Sequence, residues 1–244
     1  QHRLRGRGVA VPKAVPAPVI ATLPPADDAL ESALLSPLDP TGARLAYLVE
    51  PNPGGGARIF EVIFDSGRGV LECSVYTAGR GGARRFLKEA QGKPGAAALA
   101  VAPDALRKLL ARVSEIHPPE RPLPRGFSEW RSRLTATAPG ARTPGEEVRE
   151  ALGTEGGSVT RVVELVKSGE IGPWPPPEGP LRAVAGRLQE LAQGVIVVSG
   201  AQKREQVDAA LRAALEEILD AAGASRLAVR FEETAYVLWK QGRV

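Results

Sequence analysis

Three segments in the first third of the chain alternate their side chains with a period of two. They read ARLAYLVE (43–50), RIFEVIFD (58–65) and GVLECSVY (69–76). A period of two places successive side chains on opposite faces of a strand, so we predict that each segment is a β-strand. Between its charged ends, Arg58 and Asp65, the second segment is apolar in both phases except at Glu61. This predicts that it lies at the centre of the sheet.

The two connectors between these strands have the composition of tight turns. They read PNPGGG (51–56) and DSGRG (65–69). Proline fixes φ, while glycine and asparagine accept positive φ, and turns as short as these join antiparallel neighbours. We therefore expect an antiparallel meander. Its apolar face needs a cover, and the helical spacing over 82–91 and 104–116 supplies two candidate helices.

The second half of the chain has helical rather than strand spacing. Ser199 and Gln202 form the pattern of a capping box, so a helix is expected to begin there. Gly223 is expected to end that helix, and Ser225 to cap the last one. The segment 195–198 is either a short buried strand or an apolar link. Further helices are predicted over 129–134 with Ser128 as N-cap, 146–152, 158–168 and 180–193.

Together these elements predict an α+β fold, in which an antiparallel meander of three or more strands is covered by helices and followed by a mainly α-helical domain. The predicted domains are a Pro- and Arg-rich extended tail (1–36), an α+β domain (37–137), a linker (138–145) and a helical domain (146–244). Within the tail, residues 28–35 are expected to form a short helix closed by Pro37.

The composition is that of a globular protein. Of its 244 residues, 43% are hydrophobic and 25% are charged. This length is enough for two domains. Cys73 is the single cysteine, which excludes an internal disulfide and a cysteine-based zinc site. No apolar run is long enough for a bilayer, and the N-terminus has no apolar signal core. We expect a cytoplasmic protein without a membrane partner.

Two features of composition concern the origin of the chain. Arginine outnumbers lysine, and alanine, glycine and proline are abundant, which indicates a GC-rich bacterial genome. The chain begins at Gln1 and contains no methionine. A translated protein starts with methionine, so we expect that this chain is processed or belongs to a longer one.

The net charge of +4 is modest, so the distribution of charge matters more than its total. Basic residues cluster in the tail, at 79–93 and at 121–133, where Phe127 and Trp130 interleave with arginines. Such a surface is typical of nucleic-acid binding. The alternative is that the aromatic residues pack and the arginines are solvated. The candidate anion- or nucleic-acid-binding residues are Arg80, Gly81, Gly82, Arg84, Arg85, Arg125, Trp130 and Arg131.

The glycine-rich turn at 77–85 leads from a predicted strand into a predicted helix. Glycines allow a phosphate to approach the backbone, and a helix N-terminus offers free N–H groups. The turn lacks the Gly-Lys-Ser/Thr of a Walker sequence, and Arg84 replaces the third glycine of the dinucleotide fingerprint. The alternative is a tight turn with solvated arginines.

The residues that catalysis requires are scarce. Glu61, Asp65 and Glu72 lie on neighbouring strands, but a nuclease-like metal site would want a lysine at the position of Ser74. The two histidines, in the tail and at a predicted helix end, have no nucleophile beside them. We predict no catalytic residues, no metal site and no cofactor.

Three functions remain as hypotheses, and no motif identifies a family. The first is a non-enzymatic interaction or scaffold module with an unknown protein partner. The second is a basic protein that binds RNA or DNA through its arginines. The third is a phosphate- or nucleotide-binding module at the turn 79–85.

Overall fold

A computed structural model describes residues 30–93, 97–153, 158–169, 171–172, 174–175, 178–193 and 199–243. The described strands are β1 (Ser32–Leu35), β2 (Ala43–Pro51), β3 (Ala57–Asp65), β4 (Gly69–Ala78) and β5 (Leu99–Val101). The described helices are α1 (Arg80–Gly92), α2 (Pro103–Glu115), α3 (Arg125–Leu134), α4 (Pro144–Leu152), α5 (Val159–Lys167), α6 (Glu178–Gln193), α7 (Gly200–Ile218) and α8 (Ala221–Lys240).

The strands form one antiparallel sheet in the order β4-β3-β2-β1-β5. The predicted meander is confirmed as β2, β3 and β4, with Leu48 opposite Phe60 and Val62 opposite Cys73. The predicted α+β class is confirmed as well. The prediction that the segment 58–65 is central is wrong, because β2 occupies the middle of the five strands and β3 lies next to the edge strand β4.

The prediction of a helix over 28–35 is also wrong for residues 32–35, and residues 28 and 29 lie outside the described ranges. Residues Ser32–Leu35 form β1, which pairs antiparallel with β2 and with the three-residue strand β5. Ala33 of β1 lies opposite Val101 of β5. A four-residue apolar segment shows no period of its own. Its state is therefore decided by partners distant in sequence, which local spacing does not reveal.

The main core lies on one face of the sheet. Leu48, Phe60 and Val62 point into it, and α2, α3, α4 and α8 cover it with apolar side chains. Its buried helical residues include Leu106, Leu109, Leu110, Val113, Phe127, Leu134, Val148 and Tyr236. Val148 and Tyr236 follow the predicted linker 138–145 and yet share this core with the sheet, while the domain boundaries themselves stay a prediction.

A smaller core lies on the opposite face, under α1. Val49, Ala57 and Ile59 are buried there against Ala83 of the helix. Tyr47 and Phe86 also meet edge to face, with ring centroids 4.9 Å apart. Helices therefore pack on both faces of the sheet.

Two helix starts differ from the prediction by more than two residues. Helix α3 begins at Arg125 rather than 129, directly after Pro124, so Ser128 lies inside the helix and does not cap it. Helix α8 begins at Ala221, because the Asp220 carboxylate accepts a hydrogen bond from the backbone N–H of Gly223. Gly223 therefore lies in the first turn of α8 and does not end α7.

Gly223 also fits a close approach between α8 and the end of α7. A Cβ at that position would lie 1.9 Å from the carbonyl oxygen of Ile218. The predicted capping box at Ser199 and Gln202 is confirmed at the start of α7. The ambiguous segment 195–198 lies outside the described residues.

Candidate functional site

The glycine-rich turn forms the start of α1. Its N-cap is Gly79, so no side chain caps the helix, and the first turn contains Arg80, Gly81 and Gly82. The side chains of Arg84 and Arg85 are exposed one turn later. The helix start thus lies at the surface, at the end of the edge strand β4.

The second group of predicted residues lies on α3. Arg125 donates from Nε to Oε1 of Glu129 at 2.6 Å. Trp130 packs edge to face against Phe60 at 5.7 Å, and the guanidinium of Arg58 lies 3.9 Å from the centroid of its ring. A guanidinium therefore already occupies a face of this indole, where a base would otherwise stack. Arg131 is exposed.

The sheet separates these two groups. Ile59 and Phe60 are neighbours in β3, so their side chains point to opposite faces. Trp130 packs on the face of Phe60, whereas Ala83 of α1 packs on the face of Ile59. The arginines of α1 and those of α3 consequently flank β4 from opposite sides instead of sharing one face.

Two of the described side chains that could take part in catalysis are Cys73 and His117. Burial raises the pKa of the Cys73 thiol to about 11, so the sulfur stays protonated at neutral pH. The ring Nε2 of His117 lies 2.8 Å from the carbonyl oxygen of Arg121, and the histidine packs against Gly69. Within the described ranges, no three His, Cys, Asp or Glu side chains are placed to hold a metal ion.

A buried ionic network, which the sequence analysis did not foresee, joins the sheet to α8. At its outer end Asp65 is fully buried, and its Oδ1 accepts bonds from the backbone N–H groups of Gly67 and Arg68. Its Oδ2 lies 3.0 Å from Nη2 of Arg230 and 3.2 Å from Nη2 of Arg68. Asp65 thereby fixes the turn between β3 and β4 to the last helix.

Arg44 and Glu233 form the inner part of this network. Their side chains are 1% and 3% exposed, yet Arg44 Nη1 and Glu233 Oε2 are 3.8 Å apart, and neither atom makes a hydrogen bond to a described residue. Ser66 donates to Glu233 Oε1 at 2.7 Å. Burial raises the pKa of Glu233, against the opposing effect of Arg44, and burial lowers the pKa of Arg44.

One signal of this pair was present in the sequence. Arg44 has the same alternation phase as Ala46 and Leu48, which face the main core, so a buried cation could have been anticipated there. Its partner lies in the last helix, far along the chain, and no local pattern points to it.

Apolar side chains that remain exposed are concentrated on α5, α6 and α7. On α5, Val162, Val163 and Val166 are 44%, 44% and 52% exposed. Leu181 of α6, Leu211 and Leu215 of α7, and Leu219 at the end of α7 are exposed as well. We call these seven side chains the apolar helical surface. On α5 the three valines fall on one side of the helix, and an exposed apolar stripe of this kind is typical of a binding surface.

Comparisons with known proteins give no matching family model, no matching curated protein and no matching solved structure. No helix in the described part of the chain is long and apolar enough to cross a bilayer. The chain's own surfaces are therefore what indicates its function.

Proposed function

We propose that the protein is a non-enzymatic interaction module that binds a protein partner through α5. The sheet and the helices of the main core would form the rigid part, and the apolar helical surface would form the binding part. In this proposal the protein is bacterial and acts in the cytoplasm. The observation that carries the proposal is the exposed valine stripe of α5.

Helix α5 is amphipathic, and no residue that the structure describes buries its valine stripe. Val162, Val163 and Val166 lie on one side of α5, and Arg161 and Glu164 form a solvated ion pair on the other. A helix of nine residues is shorter than the roughly 12–15 residues below which isolated helices are marginal in water. Burial of the valines by a partner would supply the stability that α5 lacks.

The chemistry of α5 indicates the kind of partner. A short helix with one apolar face and one charged face binds an apolar groove, with anchors at helical spacing. We therefore propose a partner protein that offers such a groove. Because the valines are branched and compact, the groove would be shallow and lined by aliphatic side chains.

The test is site-specific photo-crosslinking in cells that produce the protein. A photoreactive residue at Val163 is compared with one at Arg161, on the charged side. Adducts at Val163 identify a candidate partner, which is purified and titrated with the full chain. The double change Val163→Ser/Val166→Ser should weaken binding by about tenfold or more, because two buried apolar contacts are lost.

Glu164→Gln is the matched control, since it changes the solvated side of the same helix, and it should leave the Kd unchanged. Equal crosslinking from both positions, or equal Kd values for all variants, would refute the proposal. Adducts between two copies of the chain would also refute it, in favour of self-association.

Nucleic-acid binding through α1 and α3 stays a prediction. The exposed arginines lie on both sides of β4, and Trp130 is already packed against Phe60 and Arg58. The test is the titration of labelled single-stranded RNA and DNA at low and moderate salt. Binding that falls with salt and with Arg84→Ala/Arg85→Ala would support it, because phosphate contacts release counterions.

A further inference from the structure

A large cleft with a polar wall lies where the β3–β4 turn, α8 and Trp174 meet. Its volume is about 990 Å³, which falls within the range of small-molecule sites. The polar wall is formed by Asp65 and Arg68 of the β3–β4 turn and by Arg226 and Arg230 of α8. The apolar wall contains Trp174, Leu181, Ile218, Leu219 and Leu227.

One arginine of this cleft has no ion-pair partner among the described residues. Asp65 is shared by Arg68 and Arg230, at 3.2 and 3.0 Å. Glu178, the other acidic lining residue, forms a solvated ion pair with Arg182. Arg226 forms no ion pair or side-chain hydrogen bond with any residue that the structure describes.

Arg226 is nevertheless held in place. It is half-buried, and a Cβ at Gly67 would lie 2.9 Å from its Cδ, so its stem packs directly on the β3–β4 turn. Because Asp65 fixes the conformation of that turn, the turn is a rigid support for the Arg226 stem, and the stem in turn positions the guanidinium. A positioned and unpaired arginine is a suitable donor for a carboxylate or phosphate.

Arg230 and Trp174 shape the wall of the cleft without offering it these N–H groups. Nε of Arg230 and Nε1 of Trp174 have no acceptor among the described residues, but both atoms are buried. Each lies 2.9 Å from where a Cβ would stand, at Gly42 and at Gly172 respectively, so both are packed against backbone outside the cleft. The two side chains are neighbours, with the Arg230 guanidinium 5.9 Å from the Trp174 ring centroid, and Trp174 meets Phe231 edge to face.

We infer that this cleft binds an organic anion, with a carboxylate or phosphate head bonded by Arg226, beside Arg68 and Arg230, and an apolar body on the wall of leucines. The lining has three arginines against the two carboxylates of Asp65 and Glu178, which selects an anion over a cation. The start of α8 plays no part, because Asp220 already caps it. This inference goes beyond the proposed function. The cleft shares Leu181 and Leu219 with the apolar helical surface, and no described residue of α5 lines it.

The test uses four probes and the full chain. 2-Naphthoate and 2-naphthyl phosphate carry the two kinds of anionic head, 2-naphthalenemethanol is neutral, and inorganic phosphate lacks the apolar body. Calorimetry should show binding of at least one naphthyl anion with a Kd of about 1 mM or tighter. The alcohol and inorganic phosphate should bind about tenfold more weakly. The tighter anion identifies the preferred head group.

Arg226→Gln should weaken the naphthyl anion by about tenfold, because the anionic head loses its donor, and Leu181→Ser should weaken it by removing part of the apolar wall. Arg187→Gln, an exposed arginine of α6 outside the cleft, is the matched control and should change nothing. Two variants guard against a folding defect in one of them. Equal binding of the alcohol, undiminished binding in both variants or no binding of either anion would overturn the inference.

Discussion

Helices α2 and α5 have the same kind of amphipathic pattern and opposite fates. The stripe of α2, formed by Leu106, Leu109, Leu110 and Val113, is at most 3% exposed under the sheet. The valines of α5 are about half exposed, although the hydrophobic spacing is as clear. An amphipathic stripe thus predicts a helix and an interface, but it does not predict whether the chain itself supplies the other side of the interface.

The difference extends to the two regions that contain these helices. The first region is the sheet with α2, α3, α4 and α8, which enclose a shared core and a buried ionic network. The second region is α5, α6 and α7, in which Ala214 is the only buried residue among the described side chains. We expect the first region to unfold as a cooperative unit and the second to open at lower cost. The following predictions test that contrast, beginning with the largest effect.

The largest effect should come from breaking the buried pair of Arg44 and Glu233. At a pH above the folded-state pKa of Glu233, Arg44→Met leaves a carboxylate buried without its cation, which should lower the free energy of unfolding by about 3–5 kcal/mol. The double change Arg44→Met/Glu233→Leu should return it to about the wild-type value, because two apolar side chains need no compensation. Urea denaturation measures all three chains, and additive losses in the double variant would contradict this account.

A matched pair of leucines tests the comparison directly. Leu110→Ala in α2 should lower the free energy of unfolding by about 2–5 kcal/mol, because it leaves a cavity in the main core. Leu215→Ala in α7 should change it by less than about 0.5 kcal/mol, because Leu215 is 55% exposed. Both are leucines inside helices, so helix propensity cancels. Similar losses would mean that α7 is covered in solution.

The raised pKa of Glu233 predicts how stability depends on pH. Burial favours its neutral form, so above the usual glutamate value of 4.5 the folded state keeps a proton that the unfolded state releases. This contribution to stability is complete below that pH and is lost as the pH rises through the pKa of the folded state. Denaturation from about pH 4 to about pH 7 should show the decline in the wild type.

Glu233→Gln isolates this effect, because the amide stays neutral throughout, and its stability should lack that decline. Glu216→Gln, which changes an exposed residue of α7, is the control and should follow the wild type. If the wild type instead gains stability over this range relative to Glu233→Gln, the attraction of Arg44 exceeds the cost of burial.

The long alternating strands could be predicted from sequence because one period covers eight or more residues, as in β2, β3 and β4. The short strands β1 and β5 could not, since their pairing of Ala33 with Val101 joins distant parts of the chain. The start of α8 was missed because Asp220 and Ser225 are equally plausible caps, and packing against Ile218 decides between them.

The candidate sites were harder still. Sequence reasoning found the exposed arginines but could not place α1 and α3 on opposite faces of the sheet, because that depends on how each helix crosses it. Nor could it find the cleft at Arg226, whose walls come from four separate parts of the chain. Asp65 was considered as a metal ligand, whereas burial makes it the anchor of two arginines.

Helix caps provide the smallest and most local test of the two regions. Thr143 caps α4 and Ser199 caps α7, each through a capping box with its partner Glu146 or Gln202. Thr143→Ala should lower the free energy of global unfolding by about 1 kcal/mol, because α4 packs in the main core through Val148.

Ser199→Ala removes the same kind of hydrogen bond, but from a helix that buries little. We expect faster hydrogen exchange in the first turns of α7 and no change in the global free energy, since α7 opens without the core. Hydrogen exchange together with urea denaturation separates the two results. An equal loss of global stability in both variants would show that α7 unfolds with the sheet, and that the contrast between the two regions lies only in their exposed surfaces.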